Sequence, residues 1–165
     1  MWRTMLSAPV IVAAVSATLV AGAGGALTQL GPWYVGLAKP PWQPPNWAFP
    51  IAWTAIFAGC AAAGAIAWGR LSGKPEAQAT LLVLFGLNAA LNIGWSLLFF
   101  RLQRPDWALA EVALLWASIA HLMWFLRADS PVSALLLAPY LVWVSFAAFL
   151  NFTIVRLNSP FAGAP

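Results

Sequence analysis

Asn88 and Asn92 stand four residues apart in a run, about Thr80 to Phe100, that is otherwise almost wholly apolar. At helical spacing they share a face. A carboxamide in hydrocarbon is costly unless it finds a partner, so both should turn into a bundle. Two outcomes stay open there: hydrogen bonds between helices, or donation to a polar group on a bound ligand. Trp95, further along the same run, would help close such a pocket. Acids are sparse. Asp106 follows Pro105 and precedes Trp107, a position suited to capping a helix and complementing its dipole. Glu111 is expected to pair with Arg101 or Arg104. No His/Cys/carboxylate cluster suggests a metal site, and no catalytic triad, paired-carboxylate site or cofactor fingerprint is visible.

The segment from residue 33 to 54, WYVGLAKPPWQPPNWAFPIAWT, holds four tryptophans and five prolines. Tryptophan favours a boundary where its ring is buried and its N–H meets a polar partner. Clustered prolines fix φ and remove donors, giving a stiff, non-helical connection. Such a segment suits a lid over a helical bundle that holds a flat apolar ligand.

Elements able to position these residues must lie in a membrane. Of 165 residues, 62% are hydrophobic and 7% charged, against roughly 25% charged in soluble domains. A span needs about 20 mostly apolar residues, and five runs qualify: about Leu6 to Leu27, Ala48 to Gly69, Thr80 to Phe100, Trp107 to Leu126, and Ser133 to Val155. The expectation is an all-α membrane protein, a single domain over 1–165 in which five antiparallel helices form an up-down bundle. A signal peptide is the competing reading of the first run. Arg3 and the Ala21-Gly22-Ala23 site fit one, but the apolar run continues past that site. The net charge of +4 comes from scattered Lys and Arg, with no basic patch for nucleic acid. Arg3, Arg70, Lys74 and Arg127 fall on one side, and Lys39, Arg101, Arg104 and Arg156 on the other. The positive-inside rule therefore sets no orientation. The high alanine content fits a bacterial membrane, inner or outer.

Three blocks closely resemble the translocator protein family, also called tryptophan-rich sensory proteins or the peripheral-type benzodiazepine receptor family. The first is Trp33-Tyr34, Leu37, Lys39-Pro40, Trp42, Pro44-Pro45, Trp47, Pro50 and Trp53-Thr54. The second is Leu87-Asn88, Leu91-Asn92, Trp95-Ser96 and Leu98-Phe99-Phe100, with Trp107-Ala108 opening the next span. The third is Pro139-Tyr140, Trp143, Phe146-Ala147, Leu150-Asn151 and Arg156. The resemblance implies a five-helix homodimer that binds porphyrins such as protoporphyrin IX and haem. Sterols and synthetic isoquinoline or benzodiazepine ligands are further partners it implies. Porphyrin or haem enters as ligand, and no cofactor is required. Proposed activities include regulation of porphyrin metabolism and stress responses, transport, and light-dependent porphyrin breakdown.

By that resemblance, Trp53 and Trp143 stand at the ligand cavity and are the candidates for photochemistry. Trp42 and Tyr140 belong to the same matched blocks. Ala23, Ala26, Pro50, Trp107, Ala110, Leu114, Ala147 and Leu150 would line the pocket, with Ala23, Ala110 and Ala147 leaving room for a planar guest. His121, the only histidine, is a candidate axial ligand to haem. Phe152 replaces the tyrosine of a sterol motif in mammalian members, although Arg156 remains, which favours tetrapyrroles over sterols. Gly86, Ala90 and Gly94 form a small-residue stripe about 200° from the asparagine face. It suits a homodimer interface or close packing within one chain. A second stripe, Ala14, Ala17, Ala21 and Gly25, suits either task.

Overall fold

The computed structural model describes residues 7–161. Arg3 and Leu6, the expected positive start and first residue of the first span, lie outside them. The described helices are α1 (Ala8–Leu27), α2 (Pro32–Gly36), α3 (Ala48–Arg70), α4 (Pro75–Ser96), α5 (Pro105–Leu126), α6 (Pro131–Leu136) and α7 (Ala138–Asn158), and no strand occurs among the described residues. Pro9, Pro32, Pro75, Pro105 and Pro131 sit in first turns, where the missing N–H has no intrahelical acceptor to lose. Five units are long and apolar enough to cross a bilayer: α1, α3, α4 with its extension, α5, and α6 with α7.

Two spans are less regular than expected. The fifth is broken between α6 and α7, where Pro139 offers no N–H to the carbonyl one turn back. The third runs on from α4 into one widened turn, Leu97–Arg101. There Leu102 N–H donates to Leu97 O and Arg104 N–H to Leu98 O, both at 2.9 Å. Those spacings of five and six residues close the helix and swing the chain into α5.

Helix α1 packs against α3 and α4, α5 against α4 and α7, and α6 against α3. At the end remote from the Trp/Pro segment, Ala63, Ala67, Leu71, Leu81, Leu122 and Leu126 close into a solid core. A Lys74–Asp129 ion pair joins the two connections there. At the other end the Trp/Pro segment, the α4–α5 connection and the end of α7 meet. α1 contributes no buried residue. It lies on the edge of the bundle, with Ala21 to Ala23 inside its continuous helix.

Gly59 sets the distance between α3 and α6. A Cβ added there would stand 3.1 Å from the Leu136 carbonyl oxygen, a backbone atom. Gly59→Ala should therefore push α6 away and destabilise the fold by about 1 kcal/mol, read as a lower midpoint in detergent unfolding. Gly64→Ala, whose nearest atoms are in the Phe85 ring at an ordinary contact distance of 3.8 Å, should change little.

Candidate ligand-binding site

The Trp/Pro segment folds into a roof held by side chains. Asn158, at the end of α7, accepts the Ala38 N–H at 2.8 Å and donates to the Ala38 carbonyl at 2.9 Å. This pairing satisfies both polar groups of one residue in a segment without ladder partners. The Lys39 ammonium donates to the carbonyls of Tyr34, Val35 and Leu37 and lies 4.5 Å over the Tyr34 ring. Tyr34 and Trp33 wedge against Phe100 and Phe99. Burial raises the Tyr34 phenol above its usual pKa, partly offset by a hydrogen bond from Gln43.

Beneath this roof lies a cavity of about 720 Å³. Its walls come from one stripe of each element, at spacings of three and four. α1 supplies Ala14, Ala17, Thr18, Ala21, Gly24, Gly25 and Thr28. α3 supplies Phe49, Pro50, Trp53, Thr54, Phe57, Ala58 and Ala61; α4 supplies Asn92, Trp95 and Ser96; α7 supplies Trp143 and Ala147. Leu30, Tyr34, Asn46 and Phe100 complete the roofed end. No described residue on this wall carries a charge.

The aromatic side chains are braced from behind. Trp53 stacks on Phe57 at 5.5 Å between centroids and meets Tyr140 edge-on at 6.1 Å. Trp143 is held between Phe49 and Phe146 at 5.7 and 5.6 Å. A polar network ties the same layer together. Asn88 donates to Ser118 Oγ at 2.8 Å, Asn92 to Tyr140 Oη at 3.1 Å, and Tyr140 to Asn88 Oδ1 at 3.3 Å. Interhelical bonding thus occupies both asparagines, while Asn92 also borders the cavity.

Of the residues expected at the site, the cavity brings together Pro50, Trp53, Asn92, Trp95, Trp143 and Ala147. The others lie off its wall. Ala23 and Ala26 face away on α1, whose lining face passes through Gly24 and Gly25 instead. Trp107, Ala110 and Leu114 share one outer stripe of α5, with Trp107 52% and Leu114 61% exposed. Asn88 and Tyr140 stand in the polar layer behind the wall, and Leu150 is buried among Tyr34, Phe99 and Phe100. Trp42 sits outside, stacked on Phe149 at 5.2 Å, so it braces the roof from its outer side. His121 is exposed and stacked on Trp124 away from the cavity, out of reach of a guest there.

Four further expectations change, wholly or in part. Asp106 stands in the first turn of α5, where its charge complements the dipole as expected, but it makes no N-cap; it binds Arg104, with Arg104 Nε donating at 2.8 Å, and the guanidinium lies 4.1 Å over Trp107. Glu111 therefore pairs with neither arginine: both its oxygens are enclosed without a partner, beside Gly94 of α4. The stripe of Gly86, Ala90 and Gly94 divides: Gly86 and Ala90 are exposed and do not pack within the chain, whereas Gly94 is half-buried against Glu111 of α5. The α1 stripe of Ala14, Ala17, Ala21 and Gly25 lines the cavity, a task not foreseen for it. Its spacing of three and four was the available signal.

Sequence comparison matches the chain to known proteins along nearly the whole bundle. The TspO/MBR family matches residues 10–157. A tryptophan-rich protein TspO of Chlorobaculum tepidum is 46% identical over 127 residues, covering 76% of this chain and 79% of its own. The protein CrtK of Rhodobacter capsulatus is 37% identical over 142 residues, covering 84% and 86%. The translocator protein of Sus scrofa is 36% identical over 159 residues, covering 92% and 93%. With its five spans, its roofed cavity and these matches, the chain is an integral membrane protein belonging to the TspO/MBR family.

Proposed function

We propose that this protein binds a porphyrin such as protoporphyrin IX or haem beneath the Trp/Pro roof, as a membrane sensor or carrier that regulates tetrapyrrole metabolism or a stress response. The cavity carries the reading. It is uncharged on its described wall, flanked by indole and phenyl rings, and falls within the roughly 300–1,000 Å³ of small-molecule sites. Indole faces suit a flat aromatic guest, and Ala147, Ala58 and Ala61 leave it room. Relatives named as sensory and translocator proteins agree with such a role.

Titrating purified protein with protoporphyrin IX should quench tryptophan fluorescence saturably; quenching without saturation would reject the reading. A photochemical reading, in which the protein degrades its guest in light, is favoured by one observation: Trp53 and Trp143 both border the cavity. Replacing both with phenylalanine should keep affinity within about threefold, because aromatic area remains. Any light-driven product should disappear. Product formed at the wild-type rate by the double variant removes the two indoles from that chemistry.

A homodimer through the outward stripe belongs to the same proposal. Gly86 has no neighbour within 4 Å, as a face left for a second helix requires. Leucine at both Gly86 and Ala90, the exposed part of the stripe, should leave monomers in detergent by light scattering. A surviving dimer would assign the contact to another helix.

A further inference from the structure

We propose that the guest reaches this cavity sideways from the hydrocarbon of the bilayer, through the seam between α1 and α3, rather than from water past the roof. The inference rests on the reading of the cavity as a porphyrin site and adds its route of access.

The seam runs for four turns, with α1 residues from Ala14 to Thr28 facing α3 residues from Pro50 to Ala61 across the cavity. On α3 the wall is continuous with the outside. Pro50, Thr54 and Ala58 line both the cavity and a shallow outer hollow, which adds only Ala55 and Ile51, the latter 63% exposed. Both helices are membrane spans, so the medium against that hollow is acyl chain.

The chemistry of the seam suits that medium. Its side chains are uncharged, and those on α1 are all small. The hydroxyls of Thr18, Thr28 and Thr54 each turn back to a carbonyl of their own helix, at 2.8, 2.9 and 2.7 Å. A hydroxyl facing lipid must find its acceptor internally, because hydrocarbon offers none. The roofed end has the opposite character. It is closed by the Asn158 pairing, the Lys39 clasp and the Trp33–Phe99 and Tyr34–Phe100 contacts. Opening it would break several polar bonds at once, whereas α1 has no buried residue and no cross-helix hydrogen bond or ion pair tying it to α3 is found among the described residues.

The test uses the protein in nanodiscs and follows tryptophan quenching by protoporphyrin IX in time. Ala55→Phe places a ring in the outer hollow from a position that is not itself part of the cavity wall. It should slow association and dissociation alike by about tenfold, because a barrier on the route leaves the equilibrium unmoved. In wild type, the association rate should follow porphyrin per lipid rather than its aqueous concentration. Wild-type rates in a folded Ala55→Phe protein, or rates set by aqueous porphyrin, would overturn lateral access while leaving the binding reading intact. Absence of saturable binding in wild type would instead remove the porphyrin reading, and this route with it.

Discussion

Leucine at Gly24 should reduce protoporphyrin IX affinity by about 100-fold, roughly 2.7 kcal/mol, while the protein remains folded. Gly24 brings α1 close to α4: an added Cβ would stand 3.7 Å from Ser96 Oγ and 4.0 Å from Asn92 Oδ1. Those are ordinary contacts, so alanine would fit, but the three further carbons of leucine must enter the cavity. Nothing in α1 is buried, so the substitution opens no hole in the core. Gly22→Leu is the control, since Gly22 is exposed, off the cavity wall and without neighbours within 4 Å. Equal affinities for the Gly22 and Gly24 variants would mean the guest binds elsewhere.

The second large effect concerns the roof. Asn158→Leu removes both bonds to Ala38, each worth about 0.5–1.5 kcal/mol net. Segment 38–47 should lose hydrogen-exchange protection, and guest affinity should fall by about tenfold, because Leu30, Tyr34 and Asn46 belong to the wall. Asn158→Gln reaches too far to restore the pairing and should behave like leucine. Unchanged exchange across 38–47 in Asn158→Leu would show that Lys39 and the aromatic contacts hold the roof without it.

Much of this architecture could be read from residue types. Each span needs only a sufficient apolar run, and proline marks its beginning, so five crossings and their borders follow directly. The roof was readable because Trp and Pro at that density suit few other structures. The faces of the helices were harder. On α1 nearly every residue is small or apolar, so no contrast in polarity shows that Gly24 and Gly25 look inward while Ala26 looks out. On α5, Trp107, Ala110 and Leu114 do form a coherent stripe at spacings of three and four. That spacing reveals a shared face but not its direction, and the structure turns it outward. Glu111 illustrates a different limit. Arg101 or Arg104 was its expected partner, but the carboxylate of Asp106, nearer in sequence, takes Arg104.

The core of Ala63, Ala67, Leu71, Leu81, Leu122 and Leu126 makes the cavity a cul-de-sac. Among the described residues, that core leaves no second mouth on the side of α3, α4 and α5. A guest must depart by the doorway that admitted it. Any net delivery then depends on who waits at that doorway to collect the cargo, which suits an acceptor that holds or consumes it better than a pump.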